Sequence, residues 1–70
     1  MMPLSMTKAG EENFIKKVGG KPETRQFLEN IGFVIGGAVT VISENNGNLI
    51  VNVKDSRIAI SREMANKIMV

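Results

Sequence analysis

The side chains able to do chemistry are few, and they are scattered. Ser5, Ser43, Ser56 and Ser61 have no histidine to activate them, and the chain contains no cysteine. The nucleophile–base pair of covalent catalysis therefore cannot be assembled. Each lysine sits among polar neighbours, the setting of a solvated surface side chain rather than of a desolvated base. Glu11 and Glu12 are adjacent, and adjacent residues of a strand point to opposite faces, so they do not form a paired-carboxylate site. The expected catalytic set is empty.

Metal and phosphate chemistry fare no better. Glu11, Glu12, Glu44, Asp55 and Glu63 are the hard oxygen ligands considered, and none stands at cluster spacing. Met64 and Met69 fit gap-filling in a core better than thioether ligation. No residue is assigned to a metal, and none to a cofactor. Gly19-Gly20-Lys21 has part of a phosphate loop, but the full pattern needs glycine where Ile15 stands and serine or threonine where Pro22 stands. The glycines Gly32 and Gly36 follow a helix rather than joining strand to helix, so they are not a dinucleotide fingerprint. Lys16, Lys17, Lys21 and Arg25 could make a basic patch. Without tryptophan or tyrosine, and with all three phenylalanines in the core pattern, the stacking platform for nucleic acid is missing.

The remaining role is a binding one, and size bounds it. Seventy residues make one domain, 1–70, of the size that buries only about 60% of its unfolded surface. No disulfide can staple it, which suits a reducing compartment. A homodimer is one way to supplement so small a core. The net charge of +2 comes from nine basic and seven acidic residues of mixed order, which argues against dedicated nucleic-acid or membrane-surface binding. Met1 to Lys8 lack the basic start and long apolar run of a signal peptide. The longest uncharged apolar stretch, Ile31 to Ile42, falls short of the roughly 20 residues of a membrane span. The expectation is a soluble, cytoplasmic protein with no direct membrane insertion.

The elements are organised around residues 29–42. Before Gly32, the residues Phe27, Leu28 and Ile31 recur at helical spacing; after Gly37, β-branched residues set strand spacing. Gly32 fits the left-handed position past a helix end, with Phe33 folding back onto Leu28. Gly36 and Gly37 supply a second turn. Residues 1–9 are expected to pack Leu4 and Met6 over one end of the core, and Gly10 to turn the chain into a first strand, Glu11 to Val18. A bulge or strong twist there brings both Ile15 and Val18 inward. Gly19-Gly20 ends it.

A helix then starts at Pro22, with Phe27, Leu28 and Ile31 as its buried stripe and an Arg25–Glu29 pair outside. A second strand spans Ala38 to Glu44. Asn46-Gly47 is a type I′ hairpin signal, followed by a third strand, Leu49 to Lys54. A turn at Asp55-Ser56 leads to a fourth strand, Arg57 to Ile60. Ser61 caps one helical turn, and Ile68-Met69-Val70 closes beside the first strand. The fold class is mainly β: a small, partly open five-stranded barrel with a short α-helix after the first strand and a helical turn before the last.

The order of these features resembles the FeoA family, ferrous iron transport protein A. The residues that carry the resemblance are Gly10, Ile15, Gly19-Gly20, Arg25, Leu28, Gly32-Phe33, Gly36, Val39-Thr40-Val41, Ala65 and Ile68-Met69-Val70. Two positions depart from it: Ile35 stands where the family usually has proline, and Asp55 where glycine is frequent. The resemblance implies an SH3-like barrel that serves as a cytoplasmic accessory to the FeoB-type ferrous iron transporter, a membrane protein with a GTPase domain. It implies weak association with Fe(II) for the family, but no ligand set carries over to this chain. The expected contact surface is the helix and adjacent turn, around Arg25, Glu29, Phe33 and Val34. Gly10, Gly20, Gly32, Gly36 and Gly47 serve as structural turns. The alternative is a peptide-binding or dimerisation domain related to the C-terminal domain of iron-dependent repressors.

Overall fold

The computed structural model describes residues 1–70. The expected first strand breaks in two, β1 at Glu12–Phe14 and β2 at Lys17–Val18. At the break the chain changes sheets: the Ile15 N–H donates to Gly37 O and the Lys16 N–H to Met69 O. The kink turns both Ile15 and Val18 into the core, where they are 1% and 5% exposed. It also turns Phe14 out. Met6 is exposed as well, leaving Leu4 as the buried side chain of the short 3-10 helix Leu4–Met6. These two placements correct the core expected from periodicity.

Helix α1 spans Pro22–Asn30. Strands β3 (Ala38–Asn45), β4 (Asn48–Val53) and β5 (Ser56–Ser61) follow, then the single turn α2 (Arg62–Ala65) and β6 (Ile68–Met69). The larger sheet has the order β1-β3-β4-β5, all antiparallel, and β2 pairs with β6 in a second sheet. The N-terminal segment joins the second sheet through a bridge from Pro3 to Met69 and two Met2–Val70 backbone hydrogen bonds of 2.9 Å. The expected five strands thus become six.

Turn chemistry fixes the registers. Asn46 and Gly47 have φ of 54° and 81°, both left-handed, as a type I′ turn requires. The next turn is formed by Lys54 and Asp55, at φ 50° and 62°, rather than by Asp55-Ser56. Val53 pairs with Ser56 across it, so Lys54 leaves the strand to make the corner. An irregularity at Ile42 shifts the β3–β4 register between Val41 and Ser43 and leaves Ile42 partly exposed. The Ser61 Oγ accepts the Met64 N–H at 3.1 Å, capping α2. Fourteen apolar residues form one core drawn from both sheets and both helices, with Phe33, Leu4, Ile15 and Leu28 its largest fully buried side chains.

Candidate functional site

The helix-to-sheet hinge is built by backbone hydrogen bonds. Past the end of α1, the Gly32 N–H donates to Glu29 O at 3.1 Å and the Phe33 N–H to Leu28 O at 2.9 Å. This is the paired arrangement of a Schellman cap, and it satisfies carbonyls that the helix leaves open. Gly32 carries the positive φ, +121°. Phe33 and Leu28 are both fully buried in the same cluster, the apolar contact that accompanies such a cap. Phe33 thus supports the surface from beneath and does not belong to it.

A second turn follows at once. The Gly37 N–H donates to Val34 O at 2.9 Å, and Gly36 has φ +87°. With Ile35 at negative φ this is a type II turn, which needs its glycine at the third position and favours proline at the second. Ile35 occupies that second position and is 69% exposed. The Gly36 N–H donates to Ile15 O at 2.7 Å, which fastens the turn to the kink between β1 and β2.

On this scaffold Arg25 and Glu29 are exposed and Val34 is half-buried. Arg25 and Glu29 do not pair; the one ion pair of the molecule joins Arg62 to Glu44, on a different part of the surface. Phe27, expected within the buried stripe of α1, is 49% exposed, and only Leu28 of that helix is buried. The helix lies on the core by a narrow edge, so its neighbouring aromatic stays outside. Phe14, Phe27 and Ile35 are therefore large apolar surface residues that periodicity missed. The turn motif itself signals Ile35, because the second position of a type II turn stands at the corner.

No three His, Cys, Asp or Glu side chains come together. Two open depressions mark the surface. One, of about 210 Å³, is lined by Glu12, Ala38, Thr40, Asn52, Lys54 and Asp55. The other, of about 520 Å³, is lined by Gly20, Lys21, Thr24, Glu63 and Lys67. In the second, the stem of Lys67 crosses Gly20 so closely that a Cβ there would lie 2.9 Å from Lys67 Cδ.

Comparison with known proteins matches this arrangement as a whole. The family model of the FeoA domain matches residues 2–70. A Methanocaldococcus jannaschii protein assigned the name Fe(2+) transport protein A is 43% identical over 70 residues, covering all of this chain and 85% of that protein. A crystal structure of an iron uptake regulatory protein (FeoA) superposes with a TM-score of 0.90 at 27% identity, over 99% of this chain and 93% of that one. The zinc complex of Stenotrophomonas maltophilia FeoA, described as a prokaryotic SH3 domain protein, shares the fold with a TM-score of 0.87 at 22% identity, over 100% and 89% of the two chains. A manganese-dependent transcriptional repressor shares the fold over 94% of this chain and 38% of that one, at 14% identity and a TM-score of 0.84. The mainly β, SH3-like architecture and the near-complete family match agree: this chain belongs to the FeoA family.

Proposed function

We propose that this chain is a cytoplasmic accessory of ferrous iron transport that works by contact with an FeoB-type membrane GTPase transporter, not by catalysis. Iron is the transported cargo in this reading, and the chain needs no resident metal. The observation that carries it is a surface feature in a chain of the FeoA family. Phe27 on α1 and Ile35 at the following turn stand 49% and 69% exposed on a region held rigid by two consecutive hydrogen-bonded turns. Exposed apolar anchors, aromatic ones above all, are the usual core of a protein–protein contact. Arg25 and Glu29, each two residues from Phe27, lie on the opposite side of α1, and Val34 is half-buried between the helix end and the turn.

The test is direct binding of the full chain to its cognate transporter in lipid nanodiscs, read by biolayer interferometry. Saturable binding that Phe27→Ser together with Ile35→Ser weakens by about tenfold or more is the expected result. Absence of binding at the highest soluble concentration, with the transporter shown to hydrolyse GTP, overturns the reading.

A further inference from the structure

Folding brings together basic residues that are far apart in the sequence. Lys17 in β2 lies opposite Met69 in β6 and Val18 opposite Ile68; one step further, just past both strands, the Gly19 N–H donates to Lys67 O at 2.7 Å. Lys17 and Lys67 therefore share the outer face of the two-stranded sheet. Lys21 stands beside Lys67 on the wall of the 520 Å³ depression. Arg25 lies one helical turn beyond Lys21, its N–H donating to Lys21 O at 2.9 Å. None of these four cations is in an ion pair, and Glu63 is the one carboxylate among the residues lining the depression. Together they concentrate on one side nearly half of the nine basic residues.

Mutual repulsion among unpaired cations opposes the compact state. Here Lys21 and Lys67 line a concavity, with Lys17 and Arg25 on the elements beside it, and Gly20, which has no side chain, lets the Lys67 stem pass close over it. A concave, positively charged surface fits a protruding acidic segment better than it fits a flat sheet of headgroups. We infer that the face formed by Lys17, Lys21, Arg25 and Lys67 docks an acidic polypeptide segment in the cytoplasmic part of the transporter. This rests on the proposed partnership and adds its electrostatic half. The apolar contact at Phe27 and Ile35 is a separate face, because Phe27 lies two residues from Arg25 on the other side of α1. Rim charges of this kind act mainly on the association rate and its salt dependence.

The experiment uses the full chain and the cognate transporter in nanodiscs of phosphatidylcholine, with empty nanodiscs of phosphatidylcholine and of phosphatidylglycerol alongside. Charge reversal at Lys17, Lys21 and Lys67, each to Glu, is expected to slow association by roughly tenfold or more. Raising salt from low to high concentration slows the unaltered chain in the same sense. Reversal at Lys8, Lys54 and Arg57, which makes the same change in net charge elsewhere, leaves the rate within about twofold. The milder pair Lys17→Gln and Lys21→Gln keeps the test open if the triple variant unfolds, as a thermal melt shows. If the chain binds the transporter and both triple variants slow it equally, this inference falls and the partnership stands. If the chain binds empty phosphatidylglycerol discs as well as it binds the transporter, the occupant is the bilayer and the inference falls. If the unaltered chain binds nothing, the partnership falls and takes this inference with it.

Discussion

Replacing Gly32 by alanine isolates the backbone cost of the hinge. An added Cβ has room: its nearest neighbours would be Lys54 Cδ at 3.5 Å and Val53 Cγ1 at 3.7 Å, ordinary contact distances. What alanine cannot accommodate is φ of +121°, well beyond the left-handed well near +57°. Holding a side-chain-bearing residue there costs of order 1–3 kcal/mol. The loss of glycine's extra freedom in the unfolded chain returns about 0.4–1 kcal/mol. The net destabilisation is about 1–2 kcal/mol. With a urea slope of about 1 kcal/mol/M for so small a chain, the midpoint falls by about 1–2 M. The melting temperature falls by about 5–15 °C. Gly19→Ala is the control, because Gly19 has no positive φ and its closest neighbour would be Lys67 O at 3.5 Å. It is expected to change stability by no more than about 0.5 kcal/mol. Equal midpoints for the two variants would refute the claim that Gly32 is required for its backbone geometry.

Two further outcomes follow from the turns and caps. Ile35→Pro places proline at the second position of the type II turn, where no backbone hydrogen bond from the Ile35 N–H is lost; urea unfolding is expected to show a gain of about 0.4–1 kcal/mol. Ser61→Ala removes the acceptor of the Met64 N–H and is expected to cost about 1 kcal/mol, measured the same way, with Ser61→Gly costing only a few tenths.

The features legible in the sequence are those that short-range chemistry decides. Asn46-Gly47 is a type I′ turn because those two residues tolerate left-handed backbone wherever they occur. Ser61 caps a helix, and Gly32 ends one, because the groups they satisfy lie within a few residues. The apolar alternation of β4, with Leu49, Val51 and Val53 all buried, is likewise a property of a half-covered sheet. From these the mainly β class and the order of elements can be assembled, and the full-length collinear set of residues carried the family resemblance.

Which apolar side chains remain outside was decided only by the tertiary structure. Phe14 and Ile15 are neighbours of equal local promise, and the kink that buries one and exposes the other is set by hydrogen bonds to Gly37 and Met69, more than 20 residues away in each case. The same holds for Phe27, whose exposure depends on how narrow an edge of α1 the core accepts. Lys17 and Lys67 are 50 positions apart, and only the β2–β6 register sets them on one face. Periodicity says that a face exists, because it reports spacing along one element. It is silent on what covers that face, because covering is a contact between elements and belongs to none of them alone.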